Sequence, residues 1–224
     1  MHNDFSDLIE MYRKQIHLFK QFKNVIVDCF VLEPSLNTTT NPTIHSIKAR
    51  LKDPDHLAEK IARKLSDPDA EPITTDNFFS RITDLSGVRV LHLYQDQFPK
   101  IHEFIDRKIR EGDWYLAETP KAYSWDPEAR EFFEKLGLEV KLKESHYTSI
   151  HYLIKPKPDS IVCCEIQVRT LFEEIWGEID HTINYPSPSQ SRACKEQLRV
   201  LSKLVSTGTR LADSIFRVHS DPQG

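Results

Sequence analysis

The run Ile161-Val-Cys-Cys-Glu-Ile-Gln-Val168 is apolar and β-branched, and from Leu171 onward the apolar residues instead fall four apart. A strand therefore leads almost directly into a helix, Leu171–Asn184, with Leu171, Ile175, Ile179 and Ile183 on one side and Pro186 and Pro188 ending it. A second β-rich run, His146–Ile154, is joined to the first by Lys155-Pro-Lys-Pro-Asp-Ser160, which predicts an antiparallel hairpin within one sheet.

Glu165 interrupts this apolar run. An ionisable group there is costly unless it is paired, metal-bound or catalytic. The period of two puts Glu165, Gln167 and Arg169 on one face and Val162, Cys164, Ile166 and Val168 on the other. That pattern serves equally for an exposed edge-strand face and for a row of acid, amide and guanidinium in a site.

Elsewhere, Phe5, Leu8, Ile9, Tyr12, Ile16, Phe19 and Phe22 recur at helical spacing, predicting an amphipathic helix from Asp4 to about Val31. Turn formers fill Glu33–Pro42, and Thr43–Ala49 alternates as a strand. Asp53-Pro54-Asp55 opens a helix over His56–Leu65, and Asn77–Ile82 reads as a short helix before the strand Val88–Tyr94. Gln97–Glu111 is a further amphipathic helix, Trp114–Val140 yields no assignment, and Arg192 to about Val218 is a last helix. This order predicts an α+β fold, a mixed β-sheet flanked by helices. With 224 residues one principal core is expected. The segments are 1–42, an N-terminal helical extension; 43–190, the central domain; and 191–224, a C-terminal helix. The chain contains neither a G-x-G-x-x-G nor a P-loop sequence.

Charge narrows the function classes. Thirty Lys and Arg against thirty-four Asp and Glu leave a net −4, which argues against non-specific coating of nucleic acid. Four cysteines without C-x-x-C spacing, a charged start without a secretory apolar core and no membrane-length apolar run point to reduced thiols and a cytosolic protein. Ten histidines are scattered with no zinc-ligand spacing, and no G-x-S-x-G elbow occurs.

Several clusters remain as candidates. Arg50, Lys52, Lys60, Arg63 and Lys64 place five cations in fifteen residues, a face suited to polyphosphate or to salt bridges with Asp53, Asp55 and Glu59. Asp84 precedes a Gly turn, where a carboxylate either ligates Mg²⁺ at a sheet edge or serves the turn. Tyr147, Ser149 and His151 share a face, as a base platform or as sheet packing. Glu174 and His181 lie on one side of their helix, and a carboxylate there could accept from guanine N1–H and N2–H.

In order and spacing, Arg50-x-Lys52…Lys60, Asp84-Leu-Ser-Gly-Val-Arg89-Val, Tyr147-Thr-Ser-Ile-His151, Glu165-Ile-Gln-Val-Arg-Thr170 and Trp176…Asp180-His181…Tyr185 resemble the synthetase domain of the RelA/SpoT family over roughly residues 44–186. The resemblance implies a nucleotidyltransferase-like sheet in a stand-alone alarmone synthetase or excised synthetase module. It also implies Mg²⁺-dependent transfer of pyrophosphate from ATP to GDP or GTP, giving ppGpp or pppGpp and AMP. Asp84 and Glu165 would be the catalytic and metal-binding carboxylates. Arg50, Lys52, Lys60, Arg63 and Arg89 would bind ATP, Arg50 and Arg89 sandwiching the adenine and the others holding the donor phosphates. Lys143, Tyr147, His151, Gln167 and Glu174 would line the acceptor site.

Two departures touch the substrate. His146-Tyr147-Thr148-Ser149 stands where the family commonly has Gly-Tyr-Arg-Ser, which removes a cation near the acceptor phosphates, and His56 replaces a usual Ser. Relatives that modify the tRNA 3′ end or adenine nucleotides are the alternative, with Lys141, Lys143, Lys155 and Lys157 as an RNA patch. A silent nucleotide sensor is a third reading, against which Asp84 and Glu165 argue. The terminal helices are candidates for a homo-oligomer interface or an antitoxin surface.

Overall fold

A computed structural model describes residues 5–66, 71–143, 145–185 and 187–221. Asp4 and Pro186, named above as helix boundaries, fall outside them. Seven strands form one mixed sheet among the described residues. They are β1 (Ser46–Leu51), β2 (Ser86–His92), β3 (Tyr115–Leu116), β4 (Lys121–Ser124), β5 (Glu139–Leu142), β6 (Ser149–Lys155) and β7 (Cys164–Thr170). Their order is β1-β2-β7-β6-β4-β5, with β3 on the end of β6. The β6–β7 pair is the expected antiparallel hairpin, with His151 opposite Gln167. On its other side β7 runs parallel to β2, which sets Gln167 beside Arg89.

Alternation sorts the two faces. Val88, Val90, Ile150, Tyr152, Ile154, Ile166 and Val168 are buried in the core with α1 (Ser6–Val31) and α4 (Phe98–Arg110). Lys48, Arg50, Arg89, Glu165, Gln167, Arg169 and His151 project from the opposite face. The apolar stripe of α1 shares its core with the sheet, and its Tyr12 hydroxyl donates to the carbonyls of Lys52 and Leu85 at 2.9 and 3.2 Å. Two carbonyls on the strand ends leading to the site are thereby satisfied by one buried hydroxyl. No helix of the described residues is long and apolar enough to cross a membrane.

Strand bounds differ from the sequence expectation for identifiable reasons. The N–H groups of Thr43 and Ile44 bond to the Leu36 carbonyl, so β1 begins only at Ser46 and extends through Arg50 and Leu51. Because Leu51 pairs with Ser86, β2 starts there and ends at His92, and the Tyr94 ring leaves the strand to stack on Phe216. The unassigned stretch forms β3, β4, α5 (Pro127–Lys135) and β5, the far edge of the sheet.

The helix α6 (Leu171–Asn184) has the expected bounds, secured by a capping box between Thr170 and Glu173. Its four-residue apolar stripe does not form the buried face: Ile175 and Ile179 are exposed, and Glu174 and Trp176 turn inward. A spacing of four advances about 40° per step, so the stripe winds away from the sheet. The inward side is chosen by the cations that Glu174 meets. The last helix, α7 (Arg192–Ser220), packs on α6, where the Phe172 ring covers Gly208 so closely that a Cβ there would lie 2.8 Å from it.

Candidate active site

Two adjoining clefts open on the polar face, and Arg50 lines both. The first is bounded by Lys48, Arg50, Gly87, Arg89, Glu165 and Gln167. The second, about 420 Å³, is bounded by Arg50, Lys52, His56, Lys60, Arg63, Asp84, His181 and Tyr185. The cations of this cleft expected to bind a donor thus converge from two elements, β1 with its end and the helix α2 (Leu57–Lys64), around Asp84 in the turn before β2.

Lys60 ion-pairs with Asp84, and Arg63 lies over the Tyr185 ring, 5.8 Å from its centre. Burial lowers the Lys52 pKa, and the nearby charge of Lys60 lowers it further. Such crowding of like charge favours an anion between them. The other oxygen of Asp84, Oδ1, is buried without a hydrogen-bond partner among the described residues.

Glu165 heads a connected chain on the neighbouring strands. His151 Nδ1 lies 2.9 Å from Glu165 Oε1, and Gln167 Nε2 donates to Oε2 at 2.7 Å. Because an ionised carboxylate only accepts, Nδ1 carries the proton, and a neutral His151 then accepts the Tyr147 hydroxyl proton at Nε2, 3.0 Å away. Arg169 donates to that hydroxyl at 3.0 Å with its guanidinium 5.2 Å from the centre of the Tyr147 ring. Burial would raise the Glu165 pKa, but the hydrogen bonds from His151 and Gln167, with the charge of Lys60, hold it down at about 2. For Tyr147, burial raises the phenol and Arg169 partly offsets the rise.

Glu174 stands differently from its expected role. It is 4% exposed, and its carboxylate meets Lys48 at 2.8 Å, Arg89 at 3.2 Å and Arg169 at 3.2 Å. Burial is outweighed by these cations, so its pKa is lowered. Arg89 also reaches Glu178 at 2.6 Å, so the two acids hold its guanidinium. Lys143 lies apart from the cleft, 4.8 Å over the Tyr123 ring, which meets the His151 ring edge-on at 4.9 Å.

The structure thus brings Arg50, Lys52, Lys60, Arg63 and Asp84 into one cleft, and Arg89, Glu165 and Gln167 into the next. Tyr147 and His151 join through hydrogen bonds, and Lys143 only through Tyr123. Lys48, Tyr123 and Glu178 escaped the sequence reading. Lys48 was accessible to it, since a period of two puts it on the face of Arg50; Tyr123 and Glu178 come from an unassigned strand and from an exposed helix position with no local signal.

The sequence model described as a region found in RelA / SpoT proteins matches residues 49–190. Comparison with curated proteins finds no match. Among solved structures, small alarmone synthetase 1 from Bacillus subtilis superposes with a TM-score of 0.69 at 19% identity, covering 96% of this chain and 99% of that one. The same Bacillus protein bound to its product pppGpp gives 0.68 at 19% identity, over 96% and 99% of the two chains. A GTP pyrophosphokinase family protein from Streptococcus pneumoniae gives 0.66 at 19% identity, over 93% and 92%. At such identities the likeness establishes the α+β fold.

Proposed function

Since this chain belongs to the RelA/SpoT family, we propose that it transfers the β,γ-pyrophosphate of ATP to the ribose 3′-hydroxyl of GDP or GTP, releasing AMP. The observation that carries this reading is the junction of a cationic cleft holding Asp84 with a second cleft holding an ionised, doubly hydrogen-bonded Glu165.

Attack by the 3′-oxygen on the β-phosphorus forms one P–O bond and breaks the bond to the AMP oxygen, and the hydroxyl proton must leave. Such a transition state is loose, so in-line placement and charge neutralisation matter more than a strong base. A carboxylate with a pKa of about 2 suits this: Glu165 stays ionised, orients the hydroxyl and accepts its proton late. His151 and Gln167 keep it aimed. Lys52, Lys60 and Arg63 hold the donor phosphates, and Arg50 and Arg89 flank the adenine. Tyr147, braced by Arg169, stacks on the acceptor base, and Glu174 acts as a positioning residue that shares one carboxylate between Arg89 and Arg169.

Mg²⁺ fits the donor set. Asp84 presents an unpartnered buried oxygen, Glu165 is ionised, and Lys60 lies within electrostatic reach of both. No cluster of three or more ligating side chains occurs among the described residues, which suits an ion completed by phosphate and water. Asp84 and Glu165 would hold it, and when bound it would neutralise charge on the transferred group.

One observation favours a second acceptor. Thr148, where the family commonly carries a cation, is 8% exposed and hydrogen-bonds Ser124. That position offers nothing to a 5′ polyphosphate, which keeps an adenine nucleotide or a tRNA 3′ end as the alternative. Incubation with γ-labelled ATP, Mg²⁺ and, in parallel, GDP, GTP, AMP, ADP or deacylated tRNA tests both. Label on GDP or GTP supports the proposal, label confined to tRNA or adenine nucleotides replaces the acceptor, and no transfer to any of them overturns the enzymatic reading. Asp84→Asn and Glu165→Gln should each abolish transfer in a folded protein.

A further inference from the structure

Beneath α7 lies a cavity of about 240 Å³ that shares no lining residue with either cleft. Trp125, Phe132, His146 and Trp176 form its aromatic walls. The helix above it buries polar groups alongside Leu198 and Val205. Ser202, Thr209 and Asp213 face the cavity at 1%, 3% and 5% exposure, while Val200, Leu204, Leu211, Ile215 and Val218 are 55%, 64%, 60%, 57% and 67% exposed. Ser202 and Thr209 are hydrogen-bonded within the protein, to the Arg199 carbonyl at 2.8 Å and the Thr170 hydroxyl at 3.5 Å, so of the three it is the Asp213 carboxylate that is buried without an ion-pair partner among the described residues.

The charges around the cavity indicate the sign of that occupant. Arg210 is matched by Asp126 at 2.7 Å, and Arg217 grips Asp96 through bonds of 2.6 and 2.8 Å. Asp213 and Glu173 are left over, with no Lys or Arg at salt-bridge distance among the described residues. Asp213 accepts from the Asp96 N–H at 2.8 Å and Glu173 from the Thr170 N–H at 2.7 Å. Burial raises both carboxyl pKa values, Glu173 to about 7; the hydrogen bonds from Thr170 and Asp96 and the charges of Arg169 and Arg217 offset this only in part, and the charge of Asp213 adds a smaller rise at Glu173. A cation entering between them would relieve both. Indole walls favour an organic cation over a hydrated metal ion.

We propose that this cavity is a binding site for a small organic cation with one or two ammonium groups, held by the Asp213 and Glu173 carboxylates and the indoles of Trp125 and Trp176. Its wall runs into the acceptor platform, because His146 and Thr148 line the cavity on either side of Tyr147 in sequence. His146 is held there at φ 61°, with Nδ1 buried and unpartnered among the described residues.

Calorimetric titration of the full chain at pH 8 with putrescine, and with succinate as the anionic control, tests the site without reference to transfer activity. Saturable one-to-one binding of putrescine, no binding of succinate, and a loss of about tenfold or more in affinity in Asp213→Asn and in Glu173→Gln are expected. Ser202→Leu, which fills the cavity from α7 without touching a charge, should give the same loss if the carboxamide variants fold poorly. Absence of saturable binding of putrescine, equal binding of succinate, or full affinity in both Asp213→Asn and Ser202→Leu would overturn the proposal.

Discussion

His151 donates from Nδ1 to Glu165 across the β6–β7 pair at 2.9 Å, and at Nε2 the same ring accepts a hydrogen bond from the Tyr147 hydroxyl at 3.0 Å. One imidazole therefore supports both the ionisation of the carboxylate proposed to face the acceptor hydroxyl and the position of the ring proposed to stack on the acceptor base.

Replacing His151 with Leu leaves the burial of Glu165 opposed only by Gln167 and more distant charge, so the carboxyl pKa rises from about 2. The proposed reaction uses the carboxylate and would be lost as pH falls through that pKa, so the acid limb of the kcat/KM profile should move to higher pH. At pH 8 the rate should fall on the order of 100-fold through misplacement of the acceptor. An acid limb that stays in place would show that something other than His151 keeps Glu165 ionised.

For Arg89 to flank a purine as proposed, it must leave Glu178 while Glu174 goes on holding it. Its exposed bond to Glu178 is the easier one to release, since Glu178 is half-exposed whereas Glu174 is buried. Glu178→Gln should lower the KM for ATP by about two- to fivefold, the equivalent of a partly exposed ion pair, with kcat little changed. Arg89→Ala should raise it. Steady-state kinetics at varied ATP decides the matter, and a higher KM in Glu178→Gln would mean that the pair holds Arg89 in its working position.

Gly177 is the residue on α6 that admits the Arg169 guanidinium, since a Cβ there would lie 2.8 Å from Nη1. Gly177→Ala should cost about 1–3 kcal/mol in denaturant unfolding despite the better helix propensity of Ala. Displacing Arg169 unseats Tyr147, so the KM for the acceptor should rise more than that for ATP. Stability at or above wild type would show that Arg169 moves aside freely.

Glu173 gives the stability curve a predictable slope. Its pKa is raised on folding to about 7, so its contribution is complete below the ordinary carboxyl value of 4.5 and is lost as pH rises through 7. Between pH 5 and 8 the wild type should lose up to roughly 3 kcal/mol relative to Glu173→Gln, which keeps a capping side chain. Urea unfolding of both proteins across that range measures the difference, and parallel curves would show that Glu173 is ionised at no cost.

Local pattern determined a good deal about this protein. The change of period at Leu171 marks where strand gives way to helix, and the alternation around Glu165 and the spacing of α1 each report which side of an element is apolar, the side that backbone geometry buries in both. For the same reason Glu165, Gln167 and Arg169 could be placed in a row, and Arg50 and Lys52 beside Lys60 and Arg63, from sequence alone. Tertiary structure decided what local pattern does not encode. It set β7 parallel to β2, so that Arg89 meets Gln167, and it turned α6 so that Glu174, rather than Ile175 and Ile179, faces inward. That choice follows from electrostatics across distant segments. A carboxylate at Glu174 offsets three buried or half-buried cations from β1, β2 and β7, and the cost of leaving those charges unpaired exceeds that of exposing two isoleucines.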